Sequence, residues 1–324
     1  NGKNFHINVS AGISFYPENA QDPDELLRSA DVAMYHAKKT GKNRYVMFEQ
    51  FMDDELIKRL NIENDLRRAI DNNEFILHFQ PQVDLATGTV SGLEALVRWV
   101  EPNHGVIAPL NFIDIAEESG LIRRIGEWVL YEACSFIKEL NDLTRSNYEI
   151  SVNVSVVQLT SPDFVDTVRK VLQETGLEPR LLELEITESM LVETVNKNMQ
   201  TLNELRQLGV RLSVDDFGRG FSSLSYIKDL PINSIKIDKC FVDDIPNKDN
   251  SIIESIIHIA HQNNLVVIAE GVEKWEQKEY LKKYNCDKVQ GFYYSKPVGK
   301  EEIIKLLKMW HNVEPAGIKT HGKE

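Results

Sequence analysis

The sequence predicts an α/β chain: a (βα)8 barrel preceded by a smaller α/β piece. Three observations carry that reading. Short apolar, strand-like runs recur along the chain, each delivering polar or acidic residues: Leu93-Glu94-Ala95-Leu96, Val152-Asn153-Val154, Leu184-Glu185-Ile186, Val214-Asp215-Asp216-Phe217, Ile235-Lys236-Ile237-Asp238 and Val266 to Glu270, with Lys288-Val289-Gln290-Gly291 closing the series. Helical patterns fill the gaps, over Asp163–Thr175, Asn196–Leu208, Ser251–Asn263 and Lys274–Tyr284, and strands alternating with helices imply parallel βαβ units. The length of 324 residues exceeds the roughly 250 of a single barrel and leaves room for one small extra piece.

Residues 1–48 form that piece. A strand-like stretch, Ile7–Phe15, and a turn through Pro17 to Pro23 precede a helix over Asp24–Lys39, which Gly41 ends after two lysines, and a strand-like Tyr45–Phe48 follows. The interval 49–72 is charged and helical, with Phe51, Leu56, Leu60, Leu66 and Ile70 as its apolar stripe, and reads as a connecting helix. The barrel then occupies 73–312, and 313–324 is a polar tail expected to fray.

Composition narrows the function. An apolar fraction of 42% with 27% charged residues suits a soluble protein with a sizeable core. The net charge of −13 argues against a nucleic-acid polymer as partner, because phosphate backbones are held mainly by Lys and Arg. A phosphate-containing substrate would need metal ions or a few placed cations. No run of about 18 apolar residues is present, so no membrane contact is expected and a cytoplasmic location is, with what precedes residue 1 left open. Cys134, Cys240 and Cys286 lack metal-ligand spacing and are expected to be buried free thiols of a reducing compartment.

The chemistry is in the strand ends. In a barrel of this kind the reacting side chains sit at the C-terminal rim, where Glu94, Asn153, Glu185, Asp215, Asp216, Lys236, Asp238, Glu270 and Gln290 all fall. Adjacent carboxylates such as Asp215 and Asp216 repel, and a cation or a shared proton offsets the repulsion. Oxygen donors suit Mg²⁺ or Mn²⁺ rather than zinc. Two such ions about 4 Å apart clamp a phosphodiester and activate water, so phosphodiester hydrolysis is the first hypothesis.

Taken singly, these signals are weak. Glu94 alone reads as a solvated residue, Asp215-Asp216 as a turn or cap, Lys236 as a surface lysine, Asn153 as a buried backbone partner, Gln290-Gly291 as a close turn, and Arg98-Trp99 as a stacked structural pair. His258 and His261, three apart on a helix, are read as surface or packing residues, and His104 as a loop residue.

Together they resemble a family. Gln80-Pro81, Glu94-Ala95-Leu96-Val97-Arg98, Asn153-Val154-Ser155 with Gln158, Glu185-Ile186-Thr187-Glu188, Asp215-Asp216-Phe217-Gly218, Lys236-Ile237-Asp238, Glu270-Gly271-Val272-Glu273 and Gln290-Gly291 with Lys296-Pro297 resemble, in order, the motifs of EAL-domain cyclic di-GMP phosphodiesterases. The resemblance covers roughly 50–312. It implies that Glu94, Asn153, Glu185 and Asp215 hold one Mg²⁺ or Mn²⁺, that Asp215, Asp216 and Glu270 serve a second, and that Lys236 orients the attacking water. It also implies supporting roles for Glu188 and Glu273, a metal-side or water-side role for Asp238, and nucleotide contacts from Gln80, Leu96, Arg98, Gln290 and Pro297. Arg98 is the physically persuasive contact, since a guanidinium fork matches phosphate oxygens. The implied first barrel strand, near Phe75–Gln80, runs antiparallel to the rest, and a homodimer through the barrel is implied as well.

The stretch from Asp216 to Ser225 resembles the family's loop linking the metal site to dimerisation, with Arg219 and Phe221 where the family often shows Thr and Tyr. Val9-Ser10-Ala11-Gly12-Ile13, Ala30-Asp31-Val32-Ala33-Met34-Tyr35 with Ala37-Lys38, and Gly41-Lys42-Asn43 resemble the last part of a GGDEF domain, whose signature pentapeptide is absent, so no cyclase activity is expected of these residues. The implied activity is hydrolysis of cyclic di-GMP to linear 5′-pGpG. A non-catalytic cyclic di-GMP receptor and a phosphodiesterase of other specificity are its rivals.

Overall fold

The computed structural model describes residues 8–102, 104–218, 228–245 and 251–312, without the side chains of 192–198, 311 and 312. Arg219, Phe221 and the tail from 313 lie outside the described residues. The chain divides into two compact units, Asn1–Asp71 and Asn72–Glu324.

In the first unit, β1 (Ala11–Ile13) pairs in parallel with β2 (Tyr45–Met47) through the helix Pro23–Lys39. Asp22 caps that helix by accepting from the Glu25 N–H at 2.9 Å, and acidic residues fill its first turn, where the backbone dipole favours them. Strand β1 is shorter than the apolar run suggested. In the helix Gln50–Asp71 the buried residues are Met52, Leu66 and Ala69; of the expected stripe, Leu66 is buried and Leu56 and Ile70 are partly buried, whereas Phe51 and Leu60 are exposed. Val32, Ala33, Phe48 and Met52 form a small core.

The second unit is a closed eight-stranded barrel. Strands β3 (Phe75–Asp84), β4 (Val90–Glu101), β6 (Glu149–Asn153), β7 (Leu182–Thr187), β8 (Arg211–Phe217), β9 (Ser234–Ile237), β10 (Val266–Ala269) and β11 (Lys288–Gln290) follow one another around it, and β3 pairs with β4 to close the ring. β3 is antiparallel to both neighbours and the others run parallel, as the family resemblance implies. A short β5 (Gly105–Ile107) folds back on the overlong end of β4, a hairpin the sequence pattern does not announce.

Alternation sorts the side chains. Ile150, Val152, Leu182, Leu184, Leu212, Val214, Ile235, Ile237 and Val267 are buried against the surrounding helices, for example the Ile125, Val129, Ala133, Ile137 and Leu140 stripe of Ile122–Thr144. The alternate residues line the barrel and most of them are polar, with Ile268 beside Lys236 an exception, where Val, Ile and Leu are the usual filling. The lower layer holds Gln82, Ser151, Glu183, Ser213 and Ser234, all buried. Glu183 accepts from Ser234 Oγ at 2.6 Å and pairs with Arg211 at 3.5 Å, while Lys288 meets Glu149 at 2.6 Å. The upper layer holds the candidate site.

Cys134 and Cys286 are buried, but Cys240 is exposed. It lies just beyond the end of β9, in the short helix Lys239–Asp243, where the chain has left the barrel wall. The two helix histidines are on the surface, His261 Nε2 lying 2.9 Å from Asp287 and His258 2.9 Å from Gln262. His104 sits at the β4–β5 turn with its ring 2.6 Å from Glu101. The helix Glu188–Gln207 starts well before the Asn196 expected from periodicity.

Candidate active site

Lys236, fully enclosed on β9, is the centre of the upper layer. Its ammonium lies 2.6 Å from Glu270 Oε1, 2.7 Å from Glu185 Oε2, and 3.5 Å from both Glu94 Oε2 and Asp215 Oδ1. Glu94 lies within the overlong β4, Glu185 and Asp215 towards the ends of β7 and β8, and Glu270 just past β10, so the five connections that carry the chain from β4 to β10 are needed to assemble them.

Neighbouring amides orient the acids. Asn153 Nδ2, at the end of β6, donates to Glu94 Oε1 at 2.7 Å, and Gln290 Nε2 donates to Glu94 Oε2. The same Gln290 group lies 2.9 Å from Gln80 Oε1, and Gln80 Nε2 donates to the Ser295 carbonyl at 3.0 Å. Register makes these contacts possible: Gln80 faces Glu94 across β3 and β4, and Asn153 faces Glu185 across β6 and β7. The segment carrying Ser295 and Pro297 is held by a two-way backbone bridge between Phe79 and Val298. Ser295 and Val298 carry no sequence signal of their own; only the antiparallel β3 brings them to Gln80.

The Asp215-Asp216 pair sits on an irregularity. The register of β8 against β9 shifts between Val214 and Phe217, and Asp216 adopts φ 54°, the left-handed region, with its N–H on Asp215 Oδ1 at 2.9 Å. A bulge of this kind re-aims side chains that would otherwise point to opposite faces. Glu188, buried at the start of the helix that precedes β8, accepts from the Gly218 N–H at 2.8 Å and ties down the turn after the strand.

The remaining predicted residues are near strand ends but in other contacts. Asp238 caps the helix Lys239–Asp243, accepting from the Cys240 N–H at 2.8 Å. Glu273 pairs with Lys239 at 2.9 Å. Arg98 is half-buried, and its Nη1 donates to the Val97 carbonyl at 2.8 Å. Leu96 faces His78 across β3 and β4, two positions along the same strand from both Glu94 and Arg98.

Four acids around one ammonium cannot all ionise cheaply. Burial raises the Glu185 carboxyl well above the usual carboxylate range, with the charge of Glu94 adding to it. Burial also pushes Glu270 up to about 8, although its side chain is still 21% exposed, and Asp215 and Glu94 reinforce the shift against the pull of Lys236. Glu94 goes the other way: burial would raise it, but Lys236, Gln290 and Asn153 outweigh that and hold it low. Burial works against the Lys236 charge, yet the carboxylates led by Asp215 raise its pKa well above that of a free lysine.

Among the described residues, no three His, Cys, Asp or Glu side chains converge on a single point as in an assembled metal centre. The acids converge on Lys236 instead. The donor set nonetheless fits a hard divalent cation: burial and mutual repulsion push Glu185 and Glu270 towards the protonated form, a tension that a cation would relieve, and Glu185 Oε1 is buried with no hydrogen-bond partner.

Comparison with known proteins agrees with this geometry. The profile described as EAL domain matches residues 63–297, and that of the diguanylate cyclase GGDEF domain matches residues 1–44. The chain belongs to the EAL domain family. It is 40% identical over 300 residues to the bifunctional diguanylate cyclase/cyclic di-GMP phosphodiesterase MucR of Pseudomonas aeruginosa, an alignment covering 92% of this chain and 44% of that protein. The solved PaMucR phosphodiesterase in complex with c-di-GMP superposes with a TM-score of 0.72 at 39% identity, over 75% of this chain and 99% of that one. The EAL enzyme Bd1971 in its cAMP and cyclic di-GMP bound form gives 0.75 at 33% identity, over 90% and 77%. The chain spans less than half the length of MucR.

Proposed function

We propose that this chain hydrolyses cyclic di-GMP to linear 5′-pGpG with two Mg²⁺ or Mn²⁺ ions. The observation that carries the reading is the convergence of Glu94, Glu185, Asp215 and Glu270 on Lys236 at one end of the barrel, in a chain whose relatives include named cyclic di-GMP phosphodiesterases.

Glu94, Asn153, Glu185 and Asp215 would hold one ion, and Asp215, Asp216 and Glu270 the other. Bound there, divalent ions supply Lewis-acid polarisation of phosphate oxygens and an acidified water. The chain's own groups do the positioning. Lys236 Nζ keeps a permanent positive charge beside the reacting phosphate and orients the attacking water from a site closed to bulk solvent. Gln290 and Asn153 hold Glu94 ionised and fix its rotamer. Glu188 secures the Asp215–Gly218 turn, and Glu273 and Asp238 support the neighbouring strand ends. Arg98 takes a phosphate oxygen at the rim, with Gln80, Leu96, Gln290 and Pro297 lining the nucleotide's seat.

By the same resemblance the barrel forms a homodimer, which sedimentation velocity checks. No helix among the described residues is long and apolar enough to cross a membrane. A cytoplasmic site of action is part of the proposal, because the substrate is an intracellular messenger.

The test is hydrolysis of cyclic di-GMP by the purified protein in Mg²⁺ or Mn²⁺, beside Glu94→Ala. Appearance of 5′-pGpG that requires the ion and disappears in the variant supports the enzyme. Tight binding of cyclic di-GMP without turnover overturns it in favour of a receptor.

A further inference from the structure

Gly126 lies in the interior of the 23-residue helix Ile122–Thr144, where glycine is unfavourable by about 1 kcal/mol relative to alanine. Nothing in the backbone requires it: its φ is not among the positive values. The reason is spatial. A Cβ at this position would stand 1.9 Å from Gln158 Nε2, 2.5 Å from Gln158 Cδ and 2.9 Å from Gln158 Oε1, so the whole carboxamide is seated on the glycine backbone.

That carboxamide is not a loose side-chain end. Gln158 is buried and closes a reciprocal cap with Ser155: its Oε1 accepts from the Ser155 N–H at 3.2 Å, and its own N–H donates to Ser155 Oγ at 3.2 Å. The cap fixes the turn by which the chain leaves β6, and Asn153, the last residue of β6, is two positions before Ser155. Asn153 in turn donates to Glu94 at 2.7 Å. A cavity of about 100 Å³ lined by Gln158, Arg123, Arg124, Ser161 and Thr167 adjoins the cap, so a displaced carboxamide has somewhere to go, at the cost of the cap.

We infer that Gly126 is a positioning residue for the upper barrel layer: its missing side chain seats the Gln158 carboxamide, which holds the Ser155 turn and so aims Asn153 at Glu94. Gly126 touches no reacting group. It acts through three others, across the helix layer that surrounds the barrel. The consequence for metal binding rests on the proposed function; the displacement of Asn153 does not.

The experiment has two readouts on Gly126→Ala in the full chain. The first is the side-chain amide resonance of Asn153 by NMR, which reports its bond to Glu94 without any metal or substrate. It is expected to move towards the position of a solvent-exposed asparagine, with Gln158→Ala giving the same displacement while leaving Gly126 in place. The second is Mn²⁺ affinity by calorimetry, expected to fall about tenfold, the size of effect seen when groups supporting a metal ligand are removed. Should Gly126→Ala fold poorly, Gln158→Ala carries the test. An unmoved Asn153 resonance in these variants, whatever happens to Tm, overturns the inference. A wild-type protein that binds no Mn²⁺ while Asn153 responds as expected refutes the proposed function and leaves the positioning role standing.

Discussion

Lys236 Nζ lies 2.6 Å from Glu270 Oε1 at the end of the barrel, and its other ion-pair partners among the described residues, Glu94, Glu185 and Asp215, are all acids. Under the proposed function the ammonium and a divalent cation would draw on the same carboxylates. Removing one partner of a buried charge pair typically costs about 3–5 kcal/mol, because the other charge is left uncompensated. Lys236→Met is expected to lose about 3 kcal/mol of stability in urea unfolding without metal and to abolish hydrolysis. Millimolar Mn²⁺ should raise the Tm of the variant more than that of the parent. An equal rise in both would show that the lysine and the ion do not share ligands.

Arg98 offers a separable test, because it stands at the rim rather than in the buried layer. Its Nη1 already donates to the Val97 carbonyl, so the remaining donors of the fork are those available to a phosphate. A charged hydrogen bond is worth about 1.5–3 kcal/mol, so Arg98→Ala should raise KM for cyclic di-GMP roughly tenfold or more with kcat nearly unchanged. A fall in kcat at constant KM would move Arg98 from substrate binding into the chemistry.

The barrel was legible in the sequence because polar residues recur at strand ends between apolar neighbours: Glu94, Asn153, Glu185 and Lys236 each sit in an apolar run, and the alternation survives in the fold. Other features were not legible, for physical reasons. The contact of Gln80 with the Ser295 carbonyl spans more than two hundred residues and depends on closure of the ring, which no local pattern encodes. The hairpin of β5 on β4 has no hydrophobic period, and in Gln50–Asp71 spacing found Leu56, Leu66 and Ile70 but placed Phe51 and Leu60 inward, where packing chose Met52 and Ala69. The lower polar layer, with Glu183 between Ser234 and Arg211, reads in sequence as isolated polar residues.

The thiols give a pH test. Burial pushes both Cys134 and Cys286 up to about 12, Asp287 adding to the second, whereas Cys240 is exposed. At pH 8.5 one thiol of three should react with a disulfide reagent in the native protein and all three in urea. A raised thiol pKa favours the folded state below the unfolded value of about 8.5, and that contribution is lost as pH rises towards 12. Stability should therefore fall above about pH 9, by up to roughly 1.4 kcal/mol per pH unit for each buried thiol. The double variant Cys134→Ala/Cys286→Ala should flatten that slope; an unchanged slope would place the alkaline loss elsewhere.

Gly291 tests how tightly the end of β11 must approach the chain after β10. A Cβ there would lie 2.1 Å from the Val272 carbonyl oxygen and 2.3 Å from the Val272 nitrogen, which are backbone atoms and cannot swing aside. Those same atoms are committed: the Val272 N–H donates to the Gln290 carbonyl at 3.0 Å, and the Val272 carbonyl accepts from Tyr293 at 2.9 Å. Gly291→Ala must therefore push the Gln290 segment away from Val272, and Gln290 is the residue that bridges Glu94 and Gln80. Overpacking of this kind costs about 1–3 kcal/mol, so the variant should remain folded at 25 °C with a lower Tm. Glu94, deprived of the amide that helps hold it ionised, should lose activity out of proportion to that modest loss of stability. Comparing kcat in Gly291→Ala and Gln290→Ala at a temperature well below both Tm values decides the point: matched losses place the effect in the Gln290 contact, and full activity in Gly291→Ala would show that the close approach serves packing alone.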